Sequence, residues 1–395
     1  MRLTPNRWLT GALAIFVSAM VAVTVNGQAA PAQTTAQAPA GTAPKQVMVE
    51  DVYKNVQLLK GIPATELWET MGFIAASTGL NCTNCHVSES LIDIARFADD
   101  TPLKRKTRQM IQMMNAINQA HFGGARIVTC NTCHNGSSVP EPIPSLARQY
   151  TVADVDPNTV EIVPNSPGPS ATQVLDKFVQ ALGGAQRLAA LTSYTAKGTY
   201  EGFDTYNMPV PYEVLAKAPN QRTVIVHTQN GDNTFSFDGR TGWVAVVDRA
   251  LPLMPMTPGE VDSAKIEADL AFPANIRQRL SQAQAGFPPT YLDDKRVNVI
   301  QAYGANRTRM KLFFDAESGM LLRLVRFTST IIGTVQTQVD YEEYKDVAGV
   351  KVPVKLTVTW TDGQAKIALT DVQPNVAIDP ARFGRPAPAV LKRVR

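Results

Sequence analysis

Two short segments, CTNCH at Cys82–His86 and CNTCH at Cys130–His134, hold all four cysteines and two of the four histidines of this 395-residue chain. Three chemistries compete for such pairs. A C-x-x-C alone serves as a redox disulfide or as half a zinc site. Two pairs together supply four zinc ligands, but zinc leaves the histidine after each second cysteine without a task. Covalent haem attachment uses every residue. The two thiols form thioethers with the porphyrin vinyl groups, and the next residue turns its imidazole onto the iron. The spacing therefore points to two covalently bound haem c groups, held by Cys82, Cys85, Cys130 and Cys133, with His86 and His134 as iron ligands.

The N-terminus agrees with that chemistry. Arg2 and Arg7 precede an apolar run from Leu9 to Val25, and small residues follow at Gly27-Gln28-Ala29-Ala30. This is the pattern of a secretory signal peptide over residues 1–30. It predicts a periplasmic protein, or a membrane-anchored one if the leader stays uncleaved. A formal net charge of +4 provides no strong basic field, so nucleic acid is not an expected partner.

Composition then divides the chain. Residues 31–46 are rich in Ala, Pro, Thr and Gln and read as a flexible linker. Residues 47–144 form a compact block, and 145–170 is a Pro/Ser-rich strap and linker. From 171 to 387 the apolar period is mostly two. Val350, Val352, Val354, Leu356, Val358 and Trp360 alternate with polar or small residues, and Asp362-Gly363 supplies a hairpin turn. A second hairpin falls around Glu317 to Gly319, and residues 257–284 read as a helical interruption. A basic tail, 388–395, ends the chain. The expected fold is multi-domain: a small all-α c-type cytochrome domain, then an antiparallel β-rich, half-barrel-like α+β domain.

Each C-x-x-C-H follows a helical stretch. IPATELWETMGFIAAS places Leu67, Met71 and Ile74 on one face, and Met71 lies eleven residues before Cys82. TPLKRKTRQMIQMMNAIN has Thr101 as N-cap and aligns Met110, Met113, Met114 and Ile117. A methionine in such a stripe is ordinarily core filling. Six-coordinate haem, however, needs a partner opposite each histidine, and thioether sulfur suits electron transfer. Met71 is the candidate for the first haem. For the second, Met110, Met113, Met114 and His121 all remain open.

The segments KNVQLLKGIP, TMGFIAAS, CTNCH, RQMIQMMNAIN and VTCNTCHNG resemble the cytochrome c subunit of photosynthetic reaction centres, over about a quarter of the chain. That resemblance implies His from each motif and Met from the preceding helix, so His86 with Met71 and His134 with Met110. The family's best-known members carry four haems, whereas this chain has two motifs. His121 falls where the family bears a histidine for a haem of the missing half, and is read here as a surface or propionate-side residue. His227 reads as an ordinary strand residue. A photosynthetic role does not follow.

The C-terminal region resembles periplasmic half-barrels of the lipoprotein-carrier type. That implies an apolar cavity, and hence an apolar ligand in the β-domain. The sequence carries no paired nucleophile and base and no phosphate loop there. The leading expectation is a non-enzymatic electron carrier serving redox partner proteins, membrane-bound ones among them. The alternatives are a peroxidase-like oxidoreductase with one open iron, and a docking or ligand-binding protein in which the β-domain is primary.

Overall fold

A computed structural model describes residues 44–146, 156–163, 165–280 and 282–392. The expected signal peptide and almost all of the first linker lie outside these residues. Among the described residues no helix is long and apolar enough to cross a membrane. Residues 43–395 form one compact unit.

The helical part comes first. It comprises α1 (Val49–Val52), α2 (Glu66–Thr78), α3 (Cys82–Cys85), α4 (Pro102–Phe122) and α5 (Cys130–His134). The start of α4 follows from its sequence. The Thr101 hydroxyl accepts from the Lys104 amide at 3.1 Å, and Pro102 takes the first position, where no donor is needed. Both long helices stop at glycines in the left-handed region, Gly79 after α2 and Gly123 after α4.

The rest is one antiparallel sheet with helices on it. Helices α6 (Ala171–Ala181) and α7 (Ala185–Ala190) precede the first strand. Strands β1 (Ser193–Gly202), β2 (Val210–Lys217), β3 (Gln221–Thr228), β4 (Gly231–Phe237), β5 (Gly242–Ala245) and β6 (Met254–Pro255) form one meander. Helices α8 (Pro258–Ala271) and α9 (Ile276–Arg279) interrupt it. A second meander follows: β7 (Thr290–Leu292), β8 (Lys295–Tyr303), β9 (Arg309–Asp315), β10 (Leu321–Ser329), β11 (Thr334–Val347), β12 (Val350–Trp360) and β13 (Gly363–Pro374). The first and last strands join the two: β1 pairs with β13, which makes a single 13-stranded sheet.

The expected alternation in β12 is present. Val350, Val352 and Val354 are buried, while Lys351 and Lys355 are exposed. Its hairpin turns between Trp360 and Gly363, around the Asp362-Gly363 pair. The helical interruption is α8, begun by a reciprocal cap in which Thr257 and Glu260 each bond the other's backbone amide.

One sheet face packs Val214, Leu312 and Leu324 against Phe178, Ile266 and Ile276 from α6, α8 and α9. On the opposite face, Phe313, Val325 and Phe327 are covered by Phe287 and by Val160 and Ile162 of the Pro/Ser-rich stretch. The later part of that expected linker is thus fastened to the sheet. Lys311 fastens it. Its side chain is 0% exposed, and Nζ donates to the carbonyls of Asn158, at 2.8 Å, and Val160. Phe287 and Phe327 flank the ammonium, each ring centre 5.6 Å away. Replacing Lys311→Met strands two carbonyls, and urea unfolding should show a loss of about 2–4 kcal/mol. An unchanged midpoint would remove this account of the strap.

Direct contacts join the helical part to the sheet. The Ile331 amide donates to Glu66 Oε1 at 2.9 Å, and the Arg249 guanidinium lies 4.0 Å over the Trp68 ring. Phe73 and Met114 pack with Ile332 and Val335. Gly333 is needed there, because a Cβ would come within 2.4 Å of the Phe73 ring. The tail also lies on the sheet domain through Lys392, whose amide donates to the Asn230 carbonyl at 2.7 Å.

Candidate haem attachment sites

The two C-x-x-C-H motifs are built alike. Each forms a single helical turn with a reciprocal cap. Asn81 Oδ1 accepts from the Asn84 amide at 3.2 Å, and Asn84 Oδ1 accepts from the Asn81 amide at 2.8 Å. In the second motif Thr129 and Thr132 do the same, at 3.4 and 3.0 Å. The caps satisfy the free amides of a turn too short to support itself. Residues three apart share a helix face, so each turn presents both thiols on one side with a histidine at its end.

Neighbouring elements hold the turns in place. The Thr101 hydroxyl donates to the Cys85 carbonyl at 2.6 Å, tying the first motif to the start of α4. The Gly136 amide, just after the second motif, donates to the Ser77 carbonyl of α2 at 2.8 Å. Gly79 must lack a side chain here, since its Cβ would lie 2.4 Å from the Gly136 carbonyl oxygen. Asn118 performs the least expected task. It is 3% exposed on α4; its Nδ2 donates to the Val128 carbonyl at 2.7 Å. Its Oδ1 accepts from the Val128 and Ile127 amides at 2.9 and 3.2 Å. One buried amide thereby shapes the approach to Thr129, the cap of the second motif. The signal in the sequence was a polar residue within the apolar stripe of MIQMMNAIN.

The two histidines sit in different surroundings. His134 Nδ1 lies 2.9 Å from the Ser137 carbonyl and donates to it, which leaves the Nε2 lone pair free. His86 is half-buried against the edge of Phe97, ring centres 4.9 Å apart, and its Nδ1 is buried without a well-formed hydrogen bond. Burial, helped by the Lys104 charge, lowers its proton affinity; the Phe97 carbonyl opposes this. Lower proton affinity favours the uncharged imidazole, the form that binds metals.

All four cysteines are free thiols, Cys82 and Cys133 exposed, Cys85 and Cys130 half-buried. Burial pushes the Cys85 and Cys130 thiols up, opposite to what a redox-active pair needs. Among the described residues no three His, Cys, Asp or Glu side chains gather to hold a metal ion, so the two motifs do not converge on one zinc. The orphaned His86 nitrogen, the tautomer of His134 and the paired thiols fit covalent haem.

The methionines separate by burial. Met71 and Met110 are half-buried, on α2 and α4. Met114 is 4% exposed and packed with Phe73, Ile332 and Val335, so its sulfur is committed to the seam with the sheet. Met113 is 46% exposed, and His121 is exposed. His227 stands on β3, with Nδ1 3.0 Å from Asp232 Oδ1. Beside Met71, burial together with the Glu260 and Glu66 carboxylates pushes Glu69 up to about 7, while Arg326 opposes it.

Paired thiols on capped turns, each ending in a ligating-type imidazole, are the attachment chemistry of c-type cytochromes. Residues 10–173 match the family described as photosynthetic reaction centre cytochrome C subunit. The chain is 35% identical over 107 residues to the photosynthetic reaction center cytochrome c subunit of Thermochromatium tepidum, a match covering 25% of this chain and 24% of that one. It thus spans about a quarter of that relative's length. Similar solved structures include a LolA superfamily protein from Nitrosomonas europaea, at 12% identity over 55% of this chain and 99% of that one, TM-score 0.37. Another is a DUF1329 family protein from Desulfovibrio piger, at 9% identity, 54% and 96% coverage, TM-score 0.38.

Proposed function

We propose that the chain is an exported two-haem c-type cytochrome that passes single electrons between protein partners. One haem would be held by Cys82 and Cys85 with His86 and Met71 as the iron-binding side chains. The other would be held by Cys130 and Cys133 with His134 and Met110. The observation that carries this reading is the twinned construction: two capped turns with the same order of thiol, thiol and imidazole. When bound, haem supplies a one-electron iron couple.

The chain's own residues do the rest. His86 and His134 each present one ring nitrogen. A thioether opposite imidazole holds the potential above that of a pair of imidazoles. Burial of Met114 and exposure of Met113 favour Met110 as the second sulfur donor. The pairing of Met71 with His86 rests on order along the chain and on the family's pattern. The domain bounds 47–144 and 171–387 accompany this reading, with the β-domain as a docking or ligand-binding unit.

Haem stoichiometry tests it. Protein isolated after export should have a mass two haems above the apo-chain, and acid acetone should extract neither. Changing Cys82 and Cys85 together to serine should leave one haem, and so should the paired change at Cys130 and Cys133. Extractable haem, or bound zinc in its place, would sink the proposal. The competing oxidoreductase reading requires an open iron, which would show as a high-spin spectrum and rapid peroxide turnover in the unmodified protein.

A further inference from the structure

The helix-covered face of the sheet encloses a cavity of about 150 Å³. Most of its wall is apolar, with Phe178, Leu188, Val352 and Leu369 among the lining. A polar island interrupts that wall: Arg222 and Glu267, with the phenols of Tyr194, Tyr212 and Tyr341. The side chains of Arg222 and Glu267 keep 23% and 28% of their surface open, although they stand inside the packed domain. Both side chains line the cavity.

The donors and acceptors on the island do not balance. Arg222 Nη1 donates to Glu267 Oε2 at 2.7 Å, and Arg326 Nη1 donates to Glu267 Oε1. One carboxylate therefore serves two guanidiniums, one oxygen each. Arg326 also faces Glu69 across the seam with α2. Among the described residues Arg222 pairs with no second carboxylate; its other neighbours here are phenols. A guanidinium carries five N–H donors, and this one spends a single bond on Glu267 while resting against the Tyr212 hydroxyl. Among the described residues the hydroxyls of Tyr194 and Tyr341 have no hydrogen-bond partner. Burial pushes the Tyr212 phenol up to about 12 and that of Tyr341 higher, so both remain neutral donors. The island offers surplus donors and a partly compensated cation within an apolar chamber. Burying such groups without an acceptor is costly.

We infer that the β-domain cavity binds a small monocarboxylate with an apolar body, its carboxylate on Arg222 and the Tyr194 and Tyr341 hydroxyls. A dry cavity near this volume accommodates a benzene-sized molecule, so a body of about six to eight carbons fits. Exposed Lys351, also in the lining, marks where the chamber meets solvent and carries the charge that draws an anion in. The inference deepens the reading of the β-domain as a binding unit and is independent of the haem assignment.

Calorimetric titration of the full haem-loaded protein tests it. Octanoate and 3-phenylpropanoate should bind, and the tighter of the two identifies a linear or an aromatic body. Octanol should bind at least about tenfold more weakly and octylamine not measurably, since two guanidiniums share the one carboxylate and the uncompensated positive charge favours an anion over an alcohol and repels an ammonium. Tyr341→Phe, which leaves packing intact, should cost the acids severalfold and octanol nothing. Arg222→Met should abolish the preference for acid over alcohol. If octanol matches octanoate, if octylamine binds best, or if no probe binds, the inference is overturned. A failure of haem attachment would appear in the mass of the protein and leaves these outcomes readable.

Discussion

Met71→Ala should remove about half of the weak near-infrared sulfur-to-iron band of the oxidised protein, and Met110→Ala the other half. Met71 is half-buried on α2 and Met110 is half-buried on α4, each helix preceding its own motif. Both changes delete a soft donor without charging the site. Water or a stronger donor then replaces sulfur, so the affected haem should fall in potential. Opening an iron position should also produce peroxide reactivity that the unmodified protein lacks. Met114→Ala serves as the contrast. Its side chain is packed with Phe73, Ile332 and Val335, so the change should cost about 2–5 kcal/mol of stability and leave the band intact. If Met110→Ala spares the band and Met113→Ala removes it, the ligand choice is wrong while the carrier reading stands.

Asn118→Ala carries the second large effect. The amide satisfies two backbone N–H groups and one carbonyl between Ile127 and Val128, all close to the second motif. Removing it leaves three polar groups without their partner at a part-buried site. Each buried unsatisfied group costs about 1–3 kcal/mol, so a loss of about 3–5 kcal/mol is expected in urea unfolding. The consequence should reach the haem. Thr129 is the cap of the second turn and follows Val128 directly, so the thiols of Cys130 and Cys133 lose their presentation. A larger share of exported protein should then carry one haem, with the occupied site at Cys82 and Cys85. Asn118→Asp keeps the acceptor and loses only the donor, and should fall between the two. Full haem loading in Asn118→Ala would show that the loop needs no such support.

The two predictions probe different parts of the argument. The first asks which atoms touch iron, where softness and geometry decide. The second asks what presents the thiols, where hydrogen-bond satisfaction decides. The carrier reading survives failure of the second. The peroxidase-like alternative gains only if the unmodified protein already behaves as the methionine variants should.

Several features were legible in the residues alone because they depend on local chemistry. The C-x-x-C-H spacing specifies thiols and an imidazole within one turn, whatever the rest of the chain does. The caps of α4 and α8 follow from Thr101-Pro102 and from Thr257 with Glu260, which satisfy amides within three residues. Alternation from Val350 to Trp360 requires a strand with one buried face, since the side-chain period of a strand is two. The tertiary structure decided what depends on neighbours distant in sequence. Met110, Met113 and Met114 look equivalent in one stripe by spacing; the fold separates them, packing Phe73, Ile332 and Val335 on Met114 and leaving Met113 exposed and Met110 half-buried. Asn118 reads as an ordinary helix residue until the chain folds back ten residues later to use it. Composition reads residues 145–170 as strap and linker without saying where they lie; the fold fastens 156–163 to the sheet through the carbonyls that buried Lys311 binds. Arg222 and Glu267 lie 45 residues apart, on a strand and a helix, and either alone reads as a solvated surface charge. Burial and pairing are properties of position in three dimensions, so the cavity and its charge emerge only when the sheet closes over its helices.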